Sequence, residues 1–175
     1  GRRRAAQIQR EARIPPPDFD ALLLADGGEQ LRAVAALLPF YDIDNPPVRI
    51  LATPLLAAMP DAGREPALIG AWYAAPDEAR REAFEARFRE AYGSVPPIVA
   101  GVAFDAAAIA AALAGGGQSP SGVSLTQPEG FVGALGIVRL MPDGTNQRGL
   151  SLMEVRREGV QVVEPAPERF DDRIF

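Results

Sequence analysis

The chain has 175 residues, 47% of them apolar and 23% charged, with a net charge of −5, which suits one domain or two small lobes with a real core. It has no histidine and no cysteine, which excludes Ser-His-Asp and Cys-His catalysis, thiolate or imidazole metal sites, and disulfides. The acidic balance argues against a nucleic-acid partner, and no apolar run is long enough for a transmembrane helix.

Residues 1–17 form a polar, Arg-rich segment followed by a proline connector. The thin stripe of Ala and Ile in residues 1–14 favours a solvated helix or a frayed tail. The alternative, a helix on a membrane surface or an anionic partner, needs a larger apolar face. Because the sequence starts without Met or a signal peptide, we expect a fragment or a trimmed product.

Residues 18–56 predict a β-α-β unit of an open parallel sheet, and therefore an α/β fold. The apolar run 19–25 is typical of a strand covered on both faces, a helix follows, and 48–53 is the next strand. Ligands on such sheets lie beyond the carboxyl ends of the strands. The candidate ligand-binding residues in the two turns are therefore Asp26, Gly27, Gly28, Thr53 and Pro54.

These turns also have a purely structural interpretation. Glycines give the first turn conformational freedom, and its backbone N–H groups could meet an anion. There is no dinucleotide fingerprint, however, and Asp26 would repel a phosphate, so a structural turn is favoured. Asp42, Asp44 and Asn45 resemble part of a calcium loop but lack its glycine and distal glutamate, which favours loop capping and no metal.

Residues 67–74 predict a third strand that carries an adjacent aromatic pair, Trp72 and Tyr73. Adjacent side chains on a strand face opposite ways, so one is expected in the core and the other is free to face a cleft. Core packing is favoured, with ligand stacking as the alternative, and Tyr73 joins the candidate ligand-binding residues on that ground.

Two helices follow. The first, at 77–92, has mixed charges at i,i+4 spacing, typical of a solvated face, and no two carboxylates are placed in one cleft. The second, at 98–113, is rich in Ala, and we expect it to be buried. It ends at three glycines, 115–117, which are not a phosphate loop because no GxxxxGK[ST] pattern occurs.

Antiparallel β-hairpins are predicted near the carboxyl terminus. Segments 137–141 and 147–156 flank a turn at 142–146 with the sequence PDGTN, a strong hairpin signal. A second turn at Glu158 and Gly159 leads to a strand at 160–163, and residues 166–175 form a tail.

The order of these elements over residues 18–165 resembles the carboxyl-terminal half of type I periplasmic binding proteins. The resemblance is closest to bacterial penicillin-binding-protein activators, lipoproteins that share the fold of the Leu/Ile/Val-binding proteins. It rests on an ordered set of segments: FDALLLADGGEQLRAVAALL, VRILATPLL, LIGAWYAAPDEARREAFEARFREAYGSVPP, AGVAFDAAAIAAALAGG and GIVRLMPDGTNQRGLSLMEVRREGVQVVEP.

The resemblance implies a three-layer α/β/α fold with a parallel sheet, as an incomplete two-lobed protein. Residues 18–66 would belong to the second lobe and 67–130 to the first, while 131–165 would hold a crossover strand and the β-hairpins. The chain would cross between lobes three times. Strands of the first lobe would be absent, so the Ala-rich helices should carry an apolar face without a partner.

The resemblance also implies a function. Amino-acid receptors of this fold use an aromatic residue after the first of these strands and an acidic residue after the second. The turns at 25–27 and 53–55 do not supply this pair, because the acidic residue, Asp26, lies in the first turn and not in the second. This favours a non-enzymatic periplasmic module without a cofactor. The module would contact a penicillin-binding protein that synthesises peptidoglycan. It would be anchored to the outer membrane as a lipoprotein by an upstream segment. The alternative is a substrate-binding receptor that docks on an ABC transporter permease and holds a small polar ligand such as an amino acid. A carboxylate enzyme is the least favoured, and exposed apolar faces could support a dimer.

Overall fold

The computed structural model describes residues 17–44, 46–97, 99–117 and 121–170. The Arg-rich segment 1–14, Asn45 and the end of the predicted tail lie outside the described residues. The chain divides into two compact units, one made of the described parts of Gly1–Ala74 and Met153–Val163 and the other of those of Ala75–Leu152 and Glu164–Phe175. The assignment of segments to a first and a second lobe stays a prediction.

The first unit is built on a five-stranded sheet with the order β1-β2-β3-β7-β8. Its parallel part confirms the predicted β-α-β unit, because β1 pairs in parallel with β2, and β2 with β3. Helix α1 connects β1 to β2. The bounds are β1 Ala21–Leu24, α1 Gly28–Ala35, β2 Arg49–Ala52, β3 Trp72–Ala75, β7 Ser151–Arg156 and β8 Gly159–Glu164.

The core of this unit lies on one face of the parallel strands. Ile50 is fully buried and Ala52 is nearly so, whereas Arg49 and Leu51 between them are half-buried. This alternation follows from the two-residue period of a strand. Leu31 of α1 is also fully buried, so the helix contributes its apolar side to the core.

The second unit contains a three-stranded antiparallel sheet, β4-β5-β6, and three α-helices among its described residues. Its buried cluster is Ile109, Leu113 and Val138, with Phe131 and Leu140 packed against it. The bounds are α2 Glu78–Tyr92, α3 Ala100–Gly115, α4 Gly122–Leu125, β4 Phe131–Gly133, β5 Gly136–Leu140 and β6 Asn146–Arg148.

The Ala-rich helix α3 is not buried as the sequence predicts. It buries one stripe, Gly101, Asp105, Ile109 and Leu113, whose spacing of four residues traces a single side of a helix. Its other sides are exposed, including Val102 and Phe104. The prediction of burial was wrong because an apolar composition does not state how many neighbours a helix has.

The predicted hairpin at 142–146 is confirmed, but its second strand is shorter than expected. Segment 147–156 splits into β6 and β7, which belong to different sheets. The break falls at Gly149, where a Cβ atom would lie 2.6 Å from Cγ1 of Ile137. Among the described helices, none has the length and apolar character needed to cross a membrane.

Candidate functional site

The structure brings the two predicted turns together at the carboxyl ends of β1 and β2. Gly27 precedes α1 in an extended conformation, and Gly28 opens the helix with a φ of 57°. A Cβ atom on Gly27 would lie 2.8 Å from Cβ of Leu55. Leu55 therefore packs directly on Gly27, and the turn 26–28 adjoins the turn 53–55.

The side chain of Leu55 lies against the first turn, although 42% of it remains exposed. Besides its Cβ, the Cδ1 and Cγ atoms of Leu55 lie 3.4 and 3.6 Å from the position of a Gly27 Cβ. Asp26, the charged group of the first turn, is exposed. A small polar ligand beside Gly27 would therefore meet the apolar side chain of Leu55.

Thr53 supplies the polar group of the second turn. Its Oγ1 atom is buried and has no hydrogen-bond partner among the described residues, while its carbonyl accepts the Leu56 N–H at 3.0 Å. Pro54 then starts a 3-10 helix, Pro54–Ala58. A buried hydroxyl without a partner costs about 1–3 kcal/mol, which marks Thr53 Oγ1 as the unpaired polar atom of this turn among the described residues.

The two aromatic residues on β3 face opposite sides of the sheet, as adjacent residues on a strand do. Tyr73 lies beside Ala52 in the register of β2 and β3 and is 4% exposed. Trp72 is half-buried, and its indole N–H donates to Glu154 Oε2 at 3.0 Å. The guanidinium of Arg49 lies 4.3 Å from the centroid of the Trp72 ring. Tyr73 is thus the core residue of the pair, and its proposed contact with a ligand stays a prediction.

Sequence reasoning missed an ion-pair cluster centred on Arg32 of α1. Its guanidinium bonds to Asp61 at 2.5 Å and to Glu65, and lies 3.3 Å from Glu29. The hydrogen bond from Arg32 lowers the pKa of the Asp61 carboxyl below its ordinary value, and the same bond raises the pKa of Arg32. Asp61 and Glu65 lie 29 and 33 residues away in sequence, so no local spacing could have indicated this cluster.

Two further features, a surface groove and the arrangement of the carboxylates, are less suited to binding a polar ligand or a metal ion. A surface groove of about 550 Å³ in the second unit has no charged residue in its lining. It lies between α4 and the β5–β6 turn, and its lining includes Val123, Leu125, Leu140, Met141, Pro142 and Thr145. In the described part of the chain, no group of three or more Asp and Glu side chains is placed to hold a metal ion.

No protein-family model matches the sequence, and no curated protein matches it. Solved structures do match. A protein of Rhodospirillum rubrum described as a branched-chain amino acid ABC transporter gives a TM-score of 0.58 at 19% identity, over 93% of this chain and 48% of its own. An extracellular ligand binding receptor from Desulfohalobium retbaense gives 0.57 at 23% identity, over 91% of this chain and 28% of its own.

This is the fold of type I periplasmic binding proteins. LpoA of Haemophilus influenzae shares it, with a TM-score of 0.52 at 13% identity over 91% of this chain and 28% of its own. The resemblance drawn from the sequence is confirmed, and so is the α/β class with a mostly parallel sheet. The chain spans about half the length of the Rhodospirillum protein that it matches.

Proposed function

We propose that this chain is part of a non-enzymatic binding-protein-fold module that acts by contacting another protein. The observation that carries the proposal is the packing of Leu55 on Gly27, which places an apolar side chain between the two turns. The same two turns lack the aromatic and acidic pair expected of an amino-acid receptor. A polar solute at this edge of the sheet would therefore meet an apolar side chain. It would also lack the acidic residue that amino-acid receptors carry after the second strand.

An exposed aromatic patch in the first unit supports a role in protein contact. The 3-10 helix Leu38–Tyr41 follows α1 and displays Phe40 at 73% and Tyr41 at 48% exposure, beside Leu37 at 55%. The two aromatic rings contact edge to face, with centroids 5.2 Å apart. Aromatic residues are enriched in protein interfaces, and exposed apolar clusters of this kind mark interaction sites.

The partner we propose is a penicillin-binding protein that synthesises peptidoglycan, contacted in the periplasm. The structural likeness to LpoA supports this choice, together with the sequence resemblance to activators of that kind. The same resemblance supports a lipoprotein anchored to the outer membrane.

A binding assay with immobilised penicillin-binding proteins from the organism that encodes the chain tests the proposal. We expect saturable binding, with Phe40→Asp weakening it by about tenfold or more because buried aromatic anchors dominate interfaces. Val123→Asp is the matched control, since Val123 is 86% exposed and lies in the other unit. Absence of binding to every synthase tested, or equal binding by both variants, would overturn the proposal.

A second function, a receptor for an ABC transporter, is favoured by one specific observation. Thr53 Oγ1 is buried without a partner at the carboxyl end of β2, where ligands of open sheets bind. Calorimetry with amino acids should then show binding that Thr53→Val removes. If Thr53 has only a structural role, Thr53→Val instead raises the stability without any heat of binding, because an unpaired buried hydroxyl is lost.

A further inference from the structure

Two Asp-Gly sequences occur in the chain, at Asp26–Gly27 and at Asp143–Gly144. An Asp-Gly bond is chemically labile, because the backbone nitrogen of the glycine can attack the Asp side-chain carboxyl and no Cβ atom hinders its approach. The sequence does not distinguish the two sites, since a glycine follows each aspartate. Both aspartates are also exposed in the structure, so access to solvent does not distinguish them either.

Asp143 is held in place within its hairpin turn. Its Oδ1 atom accepts the Thr145 hydroxyl at 2.7 Å and the Thr145 N–H at 2.9 Å. These bonds lower the pKa of the Asp143 carboxyl below its ordinary value, which disfavours the protonated acid that reacts. The attacking nitrogen is engaged as well, because the Gly144 N–H donates to the Met141 carbonyl at 3.0 Å. Attack at this site therefore requires the turn to open.

Asp26 lacks both of these constraints. In the part of the chain that the structure describes, its carboxylate forms no hydrogen bond or ion pair, and the Gly27 N–H donates to no carbonyl. Strand β1 ends at Leu24 and α1 begins at Gly28, so neither the sheet nor the helix fixes the Gly27 nitrogen. The Asp26 side chain is thus able to turn toward this nitrogen without breaking a bond to the described residues.

We propose that Asp26 is a site of spontaneous isoaspartate formation in the folded protein, whereas Asp143 is protected by its turn. The Gly27 nitrogen forms a bond to Asp26 Cγ, and the carboxyl hydroxyl leaves with the proton of that nitrogen as one water molecule. The product is a five-membered succinimide ring. Water then opens the ring: breaking the C–N bond at the main-chain carbonyl leaves isoaspartate, and breaking the bond at Cγ restores Asp.

Isoaspartate changes the course of the main chain in the first turn. The chain then runs through Cβ and Cγ of Asp26, which lengthens it by one carbon atom and leaves the former main-chain carboxyl as a side group. Gly27 has little room to move, because a Cβ atom on it would lie 2.8 Å from Cβ of Leu55. We therefore expect the modification to disturb the contact between the turns 26–28 and 53–55.

Incubation of the 175-residue chain at neutral pH and physiological temperature, followed by tryptic mapping, tests the proposal. The tryptic peptides 14–32 and 140–148 each contain one Asp-Gly bond, and electron-transfer fragmentation distinguishes isoaspartate from Asp. We expect isoaspartate to form about tenfold or more slowly at Asp143 than at Asp26, because the hydrogen bonds of its turn must break first. In concentrated urea the two sites should react at similar rates, because both turns are then lost.

Two variants act in opposite directions. Asp26→Glu should abolish the reaction at position 26, because attack on a Glu carboxyl closes a less favourable six-membered ring. Thr145→Val, at an exposed position, removes the hydroxyl that holds Asp143 and should raise isoaspartate at Asp143 while leaving the rate at Asp26 unchanged. Equal rates at the two aspartates in the folded chain would overturn the proposal. Isoaspartate that appears at Asp26 only in urea, or a rate at Asp143 that Thr145→Val leaves unchanged, would overturn it as well.

Discussion

At the scale of single residues, Asp105 is the most constrained charge in the described chain. It is 1% exposed on α3, accepts the Ala134 N–H at 2.6 Å and pairs with Arg148 Nη1 at 2.9 Å. A carboxylate taken out of water needs such partners, because an unpaired buried charge is very costly. Asp105 therefore ties α3 to the β4–β5 turn and to β6.

We expect Asp105→Ala to destabilise the protein by about 3 kcal/mol, because it removes one partner of a buried ion pair and leaves Arg148 without its carboxylate. Urea unfolding measures the change. Asp44→Ala, at an exposed loop position, should stay within about 0.5 kcal/mol of wild type. Replacing both members, with Asp105→Leu and Arg148→Met, should cost less than Asp105→Ala, and a larger loss would contradict a role in pairing.

The Arg32 cluster leads to a pH-dependent prediction. Because the hydrogen bond from Arg32 lowers the pKa of Asp61 in the folded protein, the folded state binds the proton less tightly than the unfolded chain. The stabilisation by this pair is therefore complete above a pH of about 4 and is lost as the pH falls through the lowered pKa.

Asp61→Asn should accordingly reduce stability at neutral pH and approach wild type in acid. Urea midpoints measured across this pH range for the two proteins give the difference curve. Asp26→Asn is the matched control, since Asp26 is exposed and forms no ion pair within the described residues. A difference that grows in acid would contradict the assigned cause.

At the scale of elements, helix α2 shows how far local sequence signals reach. Asp77 caps its first turn by accepting the Arg80 N–H at 3.0 Å, and Gly93 ends it with a φ of 70°. Along the helix, Glu85 pairs with both Arg81 and Arg89. The predicted start and end of the helix and the i,i+4 pairing of its charges are confirmed.

Loss of this cap has a defined effect. Asp77→Ala should destabilise the protein by about 1 kcal/mol, because the Arg80 N–H would lose its acceptor at the start of the helix. Glu82→Ala, at an exposed position in the same helix, serves as the control and should change stability by less than about 0.5 kcal/mol. Thermal unfolding of both variants tests the prediction, and equal midpoints would contradict it.

Strand β3 shows where local signals fail. The apolar segment 67–74 predicts one continuous strand, but Pro66–Leu68 is a 3-10 helix and only Trp72–Ala75 is extended. Gly70 has a φ of 81°, which breaks the extended conformation between them. Leu68 and Ala71 are nevertheless fully buried. The apolar pattern therefore predicted burial correctly and secondary structure only in part.

At the scale of the whole molecule, one group of exposed apolar side chains lies on α2, α3 and the segment that joins them. Tyr92 is 72% exposed, Val95 67%, Val99 69% and Val102 50%. The rings of Phe84, Phe88 and Tyr92 follow one another along α2, with Phe104 of α3 against Phe84. Exposed apolar side chains are thus present on both helices among the described residues, and their assignment to a face that lacks a partner lobe stays a prediction.

This face should bind an apolar fluorescent dye. We expect the double variant Tyr92→Glu with Val102→Glu to reduce dye fluorescence by about half or more, because it replaces two exposed apolar side chains with charged ones. Its unfolding midpoint should change little, since both residues are already exposed. Val132→Glu, at a position of β4 that is 73% exposed, should leave the fluorescence near that of wild type. Strong dye binding by the Tyr92 and Val102 variant would contradict the assignment.

Local signals in the sequence determined the parallel β-α-β unit, the ends of α2, the β5–β6 turn and the two turns that hold Asp26 and Thr53. Strand periodicity, helix caps and turn residues act within a few positions of the chain, so they can be recognised without a fold. The tertiary structure decided that Leu55 fills the space beside Gly27, that Tyr73 is buried while Trp72 is not, and that Asp105 meets Arg148. Each of these depends on residues distant in sequence, because packing and long-range ion pairs arise only when the chain brings separate elements together.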